Sequence, residues 1–139
     1  MYDFIVIDTP PALNVLTVNA YVAADHLIIP MVPEILSLLG VSQLKETFLA
    51  VQKFYNSKLS ILGILLTKYN GRTILAREVL EMAEKIASQL DTAVLEAKIR
   101  PAVVVAESPA HGTSIFEYAP KSNPAEDYNS LIDEILAKL

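Results

Sequence analysis

Cysteine is absent from the 139 residues, and so is tryptophan. Without cysteine there are no disulfides and no thiolate-held metals, and the composition fits a reducing compartment such as the cytoplasm. Glycine is scarce: Gly40, Gly63, Gly71 and Gly112 stand far apart. A phosphate cradle needs successive backbone N–H groups, usually from clustered glycines, and a lysine near the β and γ phosphates. The sequence contains no such cluster and no Gly-Lys-Ser/Thr run. Basic side chains number 11 against 16 acidic ones, for a formal charge of −5. With no basic block either, a stand-alone nucleic-acid binder is disfavoured. No apolar run approaches the roughly 18 residues of a membrane span. The start, MYDFIVID, has no basic head, and Asp3 and Asp8 flank its apolar run, so it does not read as a signal peptide. His26 and His111 are isolated, which supports no zinc site and assigns both to structural roles. No serine sits in a G-x-S-x-G elbow, so a hydrolase triad has no support.

What is present is apolar: 53% of residues are hydrophobic, enough for one folded domain over 1–139. Phe4–Asp8 reads as a buried strand, with Ile5, Val6 and Ile7 in succession, stopped by Pro10 and Pro11. Asp8 then falls at a strand's carboxyl end, where open α/β sheets bind ligands. Such an aspartate can hold the water shell of a magnesium ion. The plainer alternative is a surface aspartate at a strand end.

The rest alternates between helices and strands. A helix is expected over 12–24, buried through Leu13, Leu16, Ala20 and Ala23, then a short strand Leu27–Ile29 closed by Pro30. Leu38–Tyr55 carries an apolar stripe at Leu38, Val41, Leu44, Phe48, Val51 and Tyr55. Leu59–Thr67 reads as a strand in which Gly63 marks a bulge or a close backbone approach. Thr73–Leu90 is a helix with Leu75, Val79, Met82, Ile86 and Leu90 inward. Thr92–Ile99 is an edge strand interrupted by Glu96 and Lys98. For the last helix, Asn123 is the cap, Pro124 the first helical residue and Glu126 the capping-box partner. Its buried face is expected at Tyr128, Leu131, Ile132, Ile135, Leu136 and Leu139, with Asp127, Asp133 and Glu134 facing water. It has no basic amphipathic face of the kind that targets membranes. The pattern predicts a three-layer α/β domain with a mostly parallel sheet.

Several motifs resemble those of one family. YDFIVIDTPP is similar to a hydrophobic strand followed by D-x-x-P. Glu34 and Gly40 fit an E-x-x-x-L-x-G segment, with Leu39 where relatives carry glutamate. Thr67–Arg72 resembles T-x-Y-D-x-R, with Asn70 for the aspartate. Arg100–Gly112 resembles P-R-N-x-R-x-x-E-A-P-x-x-G: Glu107, Pro109, His111 and Gly112 match. The proline and arginine are inverted as Arg100 and Pro101, Ala102 replaces the asparagine, and Val104 replaces an arginine. Tyr118, Pro120, Lys121 and Ser122 resemble Y-x-P-K-S. Together these resemble the ParA/Soj/MinD group of deviant-Walker P-loop ATPases, closest to the ParA/Soj partitioning proteins, and match their C-terminal portion only.

The resemblance implies part of a P-loop NTPase fold and, in the intact family, ATP and magnesium. Asp8 is the magnesium-side or switch carboxylate, acting on the metal through water once a P-loop is supplied. Asn70 lies near the base or dimer face, and Arg100, Pro101, Ala102 and Val103 lie by the adenine. The family's P-loop precedes the D-x-x-P strand, so these residues alone are expected to hold no nucleotide and to hydrolyse none. The family's partners are a second ParA-like chain in an ATP-bound dimer, non-specific DNA and a centromere-binding protein. With the arginine lost at Val104, this chain alone is not expected to bind DNA. The P-loop strand lies beside the D-x-x-P strand in the family. Its absence predicts open apolar edges, and with them self-association, rearrangement or marginal stability. A non-catalytic module that pairs with a full-length relative, or a degenerate fragment, remains an alternative.

Overall fold

The first regular element is a helix, α1 (Val15–Ala23), and its start is set by Asn14. The Asn14 side chain accepts from the Leu16 and Thr17 amides at 3.0 and 3.3 Å, satisfying two otherwise orphaned donors. The buried residues of α1 are Thr17 and Tyr21, whereas Leu13 and Leu16 are exposed. The face expected from Leu13 and Leu16 therefore points outward. The Thr17 hydroxyl is satisfied by the Ala12 carbonyl at 2.7 Å, which makes its burial tolerable. The computed structural model describes all 139 residues.

β1 (His26–Met31) follows, then α2 (Ile35–Phe54), β2 (Ser60–Leu66) and α3 (Ile74–Gln89). β1 and β2 pair in parallel. The segment 93–99 continues the sheet on the far side of β2, through parallel bridges Ile64–Val94 and Thr67–Ile99. It is an edge, as its interrupted pattern predicts, but not a continuous strand. Pro30 does not close β1, which runs on to Met31. The Thr67 amide donates to the Met31 carbonyl at 2.8 Å, so Met31 faces β2 and Pro30 faces the open edge. A missing N–H there costs no ladder bond.

The core lies mostly on one face of this sheet. Ile29 and Met31 from β1, and Ile64 and Leu66 from β2, pack with Leu38, Val41, Phe48 and Val51 of α2 and Val79, Ala83 and Ala87 of α3. α2 matches its expected stripe except at Tyr55, which is exposed. α3 matches its expected stripe at Val79, Ile86 and Leu90, but Leu75 and Met82 are exposed, and Ala76, Ala83 and Ala87 face inward beside the matching residues. Small residues let the helix backbone lie close to the sheet, and the bulkier Leu75 and Met82 are left at the flank.

After the short helices α4 (Val103–Ala110) and α5 (Ile115–Tyr118), α6 (Asn123–Lys138) returns to the opposite face. Leu131 of α6 packs against Leu65, Leu95 and Ile99, so β2 is covered on both sides and the domain is three-layered. The N-cap of α6 is Ser122, one residue earlier than expected, accepting from the Ala125 amide at 3.3 Å. Ile132, Leu136 and Leu139 of α6 are exposed.

Phe4–Asp8 is not a strand. Its residues form no ladder and all are exposed, Val6 at 92%. The apolar run has the composition of a strand, but the segment pairs with neither edge of the sheet, and the outer edge of β1 stays open. Gly63 does mark an irregularity. Leu27 pairs with Ile61 and Ile28 with Gly63, so Leu62 is the extra residue of a bulge. A Cβ at Gly63 would overlap the Leu95 side chain, 2.6 Å from its Cγ, and lie 3.2 Å from the Ala93 carbonyl oxygen. Gly63→Ala is therefore expected to destabilise the domain by about 1–3 kcal/mol through overpacking. Urea denaturation of the two proteins measures it, and an unchanged midpoint would show that Leu95 yields freely.

Candidate nucleotide-binding site

The carboxyl ends of β2 and of segment 93–99 meet at an open cavity of about 410 Å³. Tyr69, Asn70, Gly71 and Arg72 line one side; Lys98, Arg100 and Pro101 line the other, and Asp127 reaches in from α6. The two sides are joined at backbone level, because the Tyr69 amide donates to the Ile99 carbonyl at 3.0 Å. Lys68 takes a left-handed turn, φ 52°, as the chain leaves β2. Asn70 then accepts from the Arg72 amide at 3.2 Å through its side chain, an Asx turn that leads into Thr73, the N-cap of α3. The Lys98 ammonium lies 5.8 Å from the Tyr69 ring centre and donates to the Glu96 carbonyl at 3.1 Å.

Arg100 and Asp127 form the only ion pair in the chain. The guanidinium donates through Nε at 2.8 Å and Nη2 at 2.7 Å, a bidentate fork. The Arg100 amide donates to the same carboxylate at 3.0 Å. Two turns further along α6, Glu134 accepts from the amides of Glu96 and Ala97 at 3.0 and 2.9 Å. Both carboxylates were expected to face water. Residues spaced by two turns share a helix face, and this face lies along the outer edge of segment 93–99. There it satisfies N–H groups that no strand covers. Burial alone would push the Asp127 carboxyl up. The side-chain and backbone hydrogen bonds from Arg100, with its charge, together hold it below the usual carboxylate value.

Of the residues expected at the site, Asn70, Arg100 and Pro101 are brought together. Ala102 is the N-cap of α4 and Val103 its first residue; both sit beside the cavity without lining it, and Val103 is exposed. Asp8 lies on the exposed N-terminal segment, outside the cavity and without a hydrogen-bond partner. No three His, Asp or Glu side chains gather into a metal-binding group. Lys98 and Asp127 were not read as site residues. Lys98 registered only as an interruption of a strand, and Asp127 only as a polar face; the bond between α6 and Arg100 is a tertiary fact. Glu107, His111 and Tyr118 form a separate contact: Tyr118 donates to Glu107 at 3.2 Å and stacks on the His111 ring at 5.1 Å. Gly112, at φ 65°, ends α4 beside them.

Comparison with known proteins agrees with the family resemblance. Residues 1–61 match the family model described as an AAA domain. The sporulation initiation inhibitor protein Soj of Bacillus subtilis is 40% identical over 137 residues, covering 98% of this chain and 53% of that protein. The chromosome-partitioning ATPase Soj of Thermus thermophilus is 35% identical over 139 residues, 99% of this chain and 54% of that one. Over nearly its whole length this chain is similar to the ParA/Soj partitioning proteins. It spans about half the length of the relatives it matches. Among solved structures, cobyrinic acid a,c-diamide synthase from Mycobacterium smegmatis superposes with a TM-score of 0.70 at 32% identity, over 93% of this chain and 44% of that one. The form of that enzyme with bound ADP and magnesium matches at 0.58 and 38% identity, over 68% and 38%. The fold is thus part of a three-layer P-loop NTPase domain. No helix of this chain is long and apolar enough to cross a membrane.

The depressed Asp127 value fixes the sign of a pH effect. A group with a lowered folded value stabilises above its unfolded value, about 3.9, and loses that contribution as pH falls through the folded one. Asp127→Asn is expected to lower the melting temperature by a few degrees at neutral pH. The gap to wild type should hold down to about pH 5 and close below about pH 4. Parallel thermal melts across this range test it; a gap that widens in acid would contradict the sign.

Proposed function

We propose that the chain carries the base-side wall of a ParA/Soj-type nucleotide site, the part of a partitioning ATPase that orients the nucleotide while a phosphate cradle supplies most of the binding. The observation that supports this reading is the cavity at the ends of β2 and segment 93–99. Asn70, which the family resemblance assigns to the base or dimer face, and Arg100 and Pro101, which it assigns to the adenine side, line this cavity together with Tyr69. An aromatic face and fixed polar groups in a concavity suit a purine. In this reading Asp8 becomes the magnesium-side carboxylate only with a P-loop beside it. The 139 residues contain no glycine cluster or Gly-Lys-Ser/Thr run that could serve as one. In this reading they turn over no ATP alone and, departing from the expectation that they hold no nucleotide, keep a weak affinity for it through base-side contacts. In a complete partitioning ATPase this wall would serve plasmid or chromosome segregation, with a second ParA-like chain and a centromere-binding protein as partners.

An NMR titration of the 139-residue chain with ATP, alongside a phosphate-release assay, tests the reading. Shifts confined to Tyr69–Arg72 and Lys98–Pro101, without phosphate release, are expected. Shifts that leave this cavity untouched, or sustained turnover, would sink it.

A second reading, a non-catalytic module that pairs with a longer relative, is favoured by one observation. Phe4, Ile5, Val6 and Ile7 are all exposed, and Ile28 and Pro30 stand at the open edge of β1. Exposed strand edges invite pairing with another chain. Sedimentation velocity over a range of concentrations is expected to show association that Ile5→Lys with Ile7→Lys abolishes. A strictly monomeric wild type would remove this reading.

A further inference from the structure

The Arg100–Asp127 pair is unequal in a useful way. The Asp127 side chain is only 10% exposed, whereas Arg100 is 49% exposed. One carboxylate takes Nε–H, one Nη2–H and the Arg100 amide, so it anchors both ends of the residue. A guanidinium has five N–H donors. Two are used here, and three remain, including both on Nη1. They belong to a residue that lines the cavity, across from Tyr69 and Arg72. An arginine at an open cavity edge normally samples many rotamers, and ordering it costs free energy when a ligand binds. Asp127 removes that freedom before any ligand arrives. Glu134 does the same for the chain just before it, by tying down the amides of Glu96 and Ala97.

We propose that Asp127 is a positioning residue for ligand recognition: it holds Arg100 as a pre-set donor edge for the acceptor atoms of a bound nucleotide's base or ribose. This rests on the nucleotide reading above. The role belongs to Asp127 and not to α6 in general, because Glu134 touches backbone only and contributes no group to the cavity. A plain structural staple predicts lost stability on removal and nothing specific in binding.

The test uses the whole 139-residue chain and metal-free ATP, with NMR titration for affinity and thermal melting for stability. Asp127→Asn is expected to weaken ATP about three- to tenfold, the loss of one net hydrogen bond's worth of interaction, while the melt stays cooperative. Arg100→Lys keeps the charge but loses the fork, and is expected to weaken ATP as much. It decides the matter if Asp127→Asn does not fold. The exchange Arg100→Asp with Asp127→Arg restores an ion pair. It should recover the melting temperature without recovering affinity. Unchanged affinity in Asp127→Asn and Arg100→Lys, or affinity that returns with stability in the exchanged protein, overturns the positioning role and leaves the nucleotide reading standing. Absence of any ATP titration by the wild type overturns the nucleotide reading, and the positioning role falls with it.

Discussion

β2 is the strand on which the other elements depend. It alone has a neighbour on each edge and helices over each face. Ile64 and Leu66 are fully buried toward α2 and α3, while Leu65 turns to the other side and meets Leu95, Ile99 and Leu131. A strand enclosed in this way must be apolar throughout, which is why Ser60–Leu66 reads as a continuous run and not an alternation. The same enclosure sets the position of the site. The chain can leave β2 only at its carboxyl end, and there the left-handed Lys68 and the Asx turn at Asn70 bring it across the end of segment 93–99.

The two edges of this small sheet are finished differently. On the outer side of segment 93–99, the amides of Glu96, Ala97 and Arg100 find carboxylates from α6. Those charge-assisted bonds replace a neighbouring strand and end the sheet. On the outer side of β1 no helix arrives. Pro30 removes one donor there, but Ile28 remains partly exposed and the β-prone segment Phe4–Ile7 is in solvent. One edge is closed by chemistry internal to the chain; the other retains the unpaired groups that strand pairing uses. The nucleotide reading draws on the closed edge and the association reading on the open one, so the two do not compete for the same residues.

What the sequence disclosed follows this division. The runs 27–29 and 60–66 and the extents of α2, α3 and α6 were legible because apolar spacing is a local property. Gly63 was legible as an anomaly, and its neighbour Leu95 gives the reason. The failures are all questions of partnership. FIVI has the composition of a strand, but composition does not say which edge a strand pairs with, and here it pairs with none. In α3 the large residues Leu75 and Met82 outweighed Ala76, Ala83 and Ala87 on any hydrophobic count, although close helix–sheet packing selects the small ones. Asp127 and Glu134 fell on what looked like the wet face of α6, and only the tertiary fold shows them serving a strand edge. At the site, Asn70, Arg100 and Pro101 were accessible through their resemblance to a family pattern, while Lys98 and Asp127 match no motif.

The inverted Arg100–Pro101 pair illustrates why a motif departure needs its structural context. Read against the family run, the inversion looks like a loss. In the fold, Arg100 lies within reach of Asp127, and Pro101 follows it into the extended Ala102 that caps α4. Arg72, Lys98 and Arg100 line a cavity with a single carboxylate among them, in a chain whose formal charge is −5. At physiological ionic strength charges are screened over about 8 Å. This local excess therefore acts on what is already in contact with the cavity and does little to draw a polyphosphate from a distance. A wall with these properties favours orientation over capture. That is the division of labour expected when the strong, charge-dense contacts to a nucleotide come from a phosphate cradle and the base side fixes only how the ligand lies.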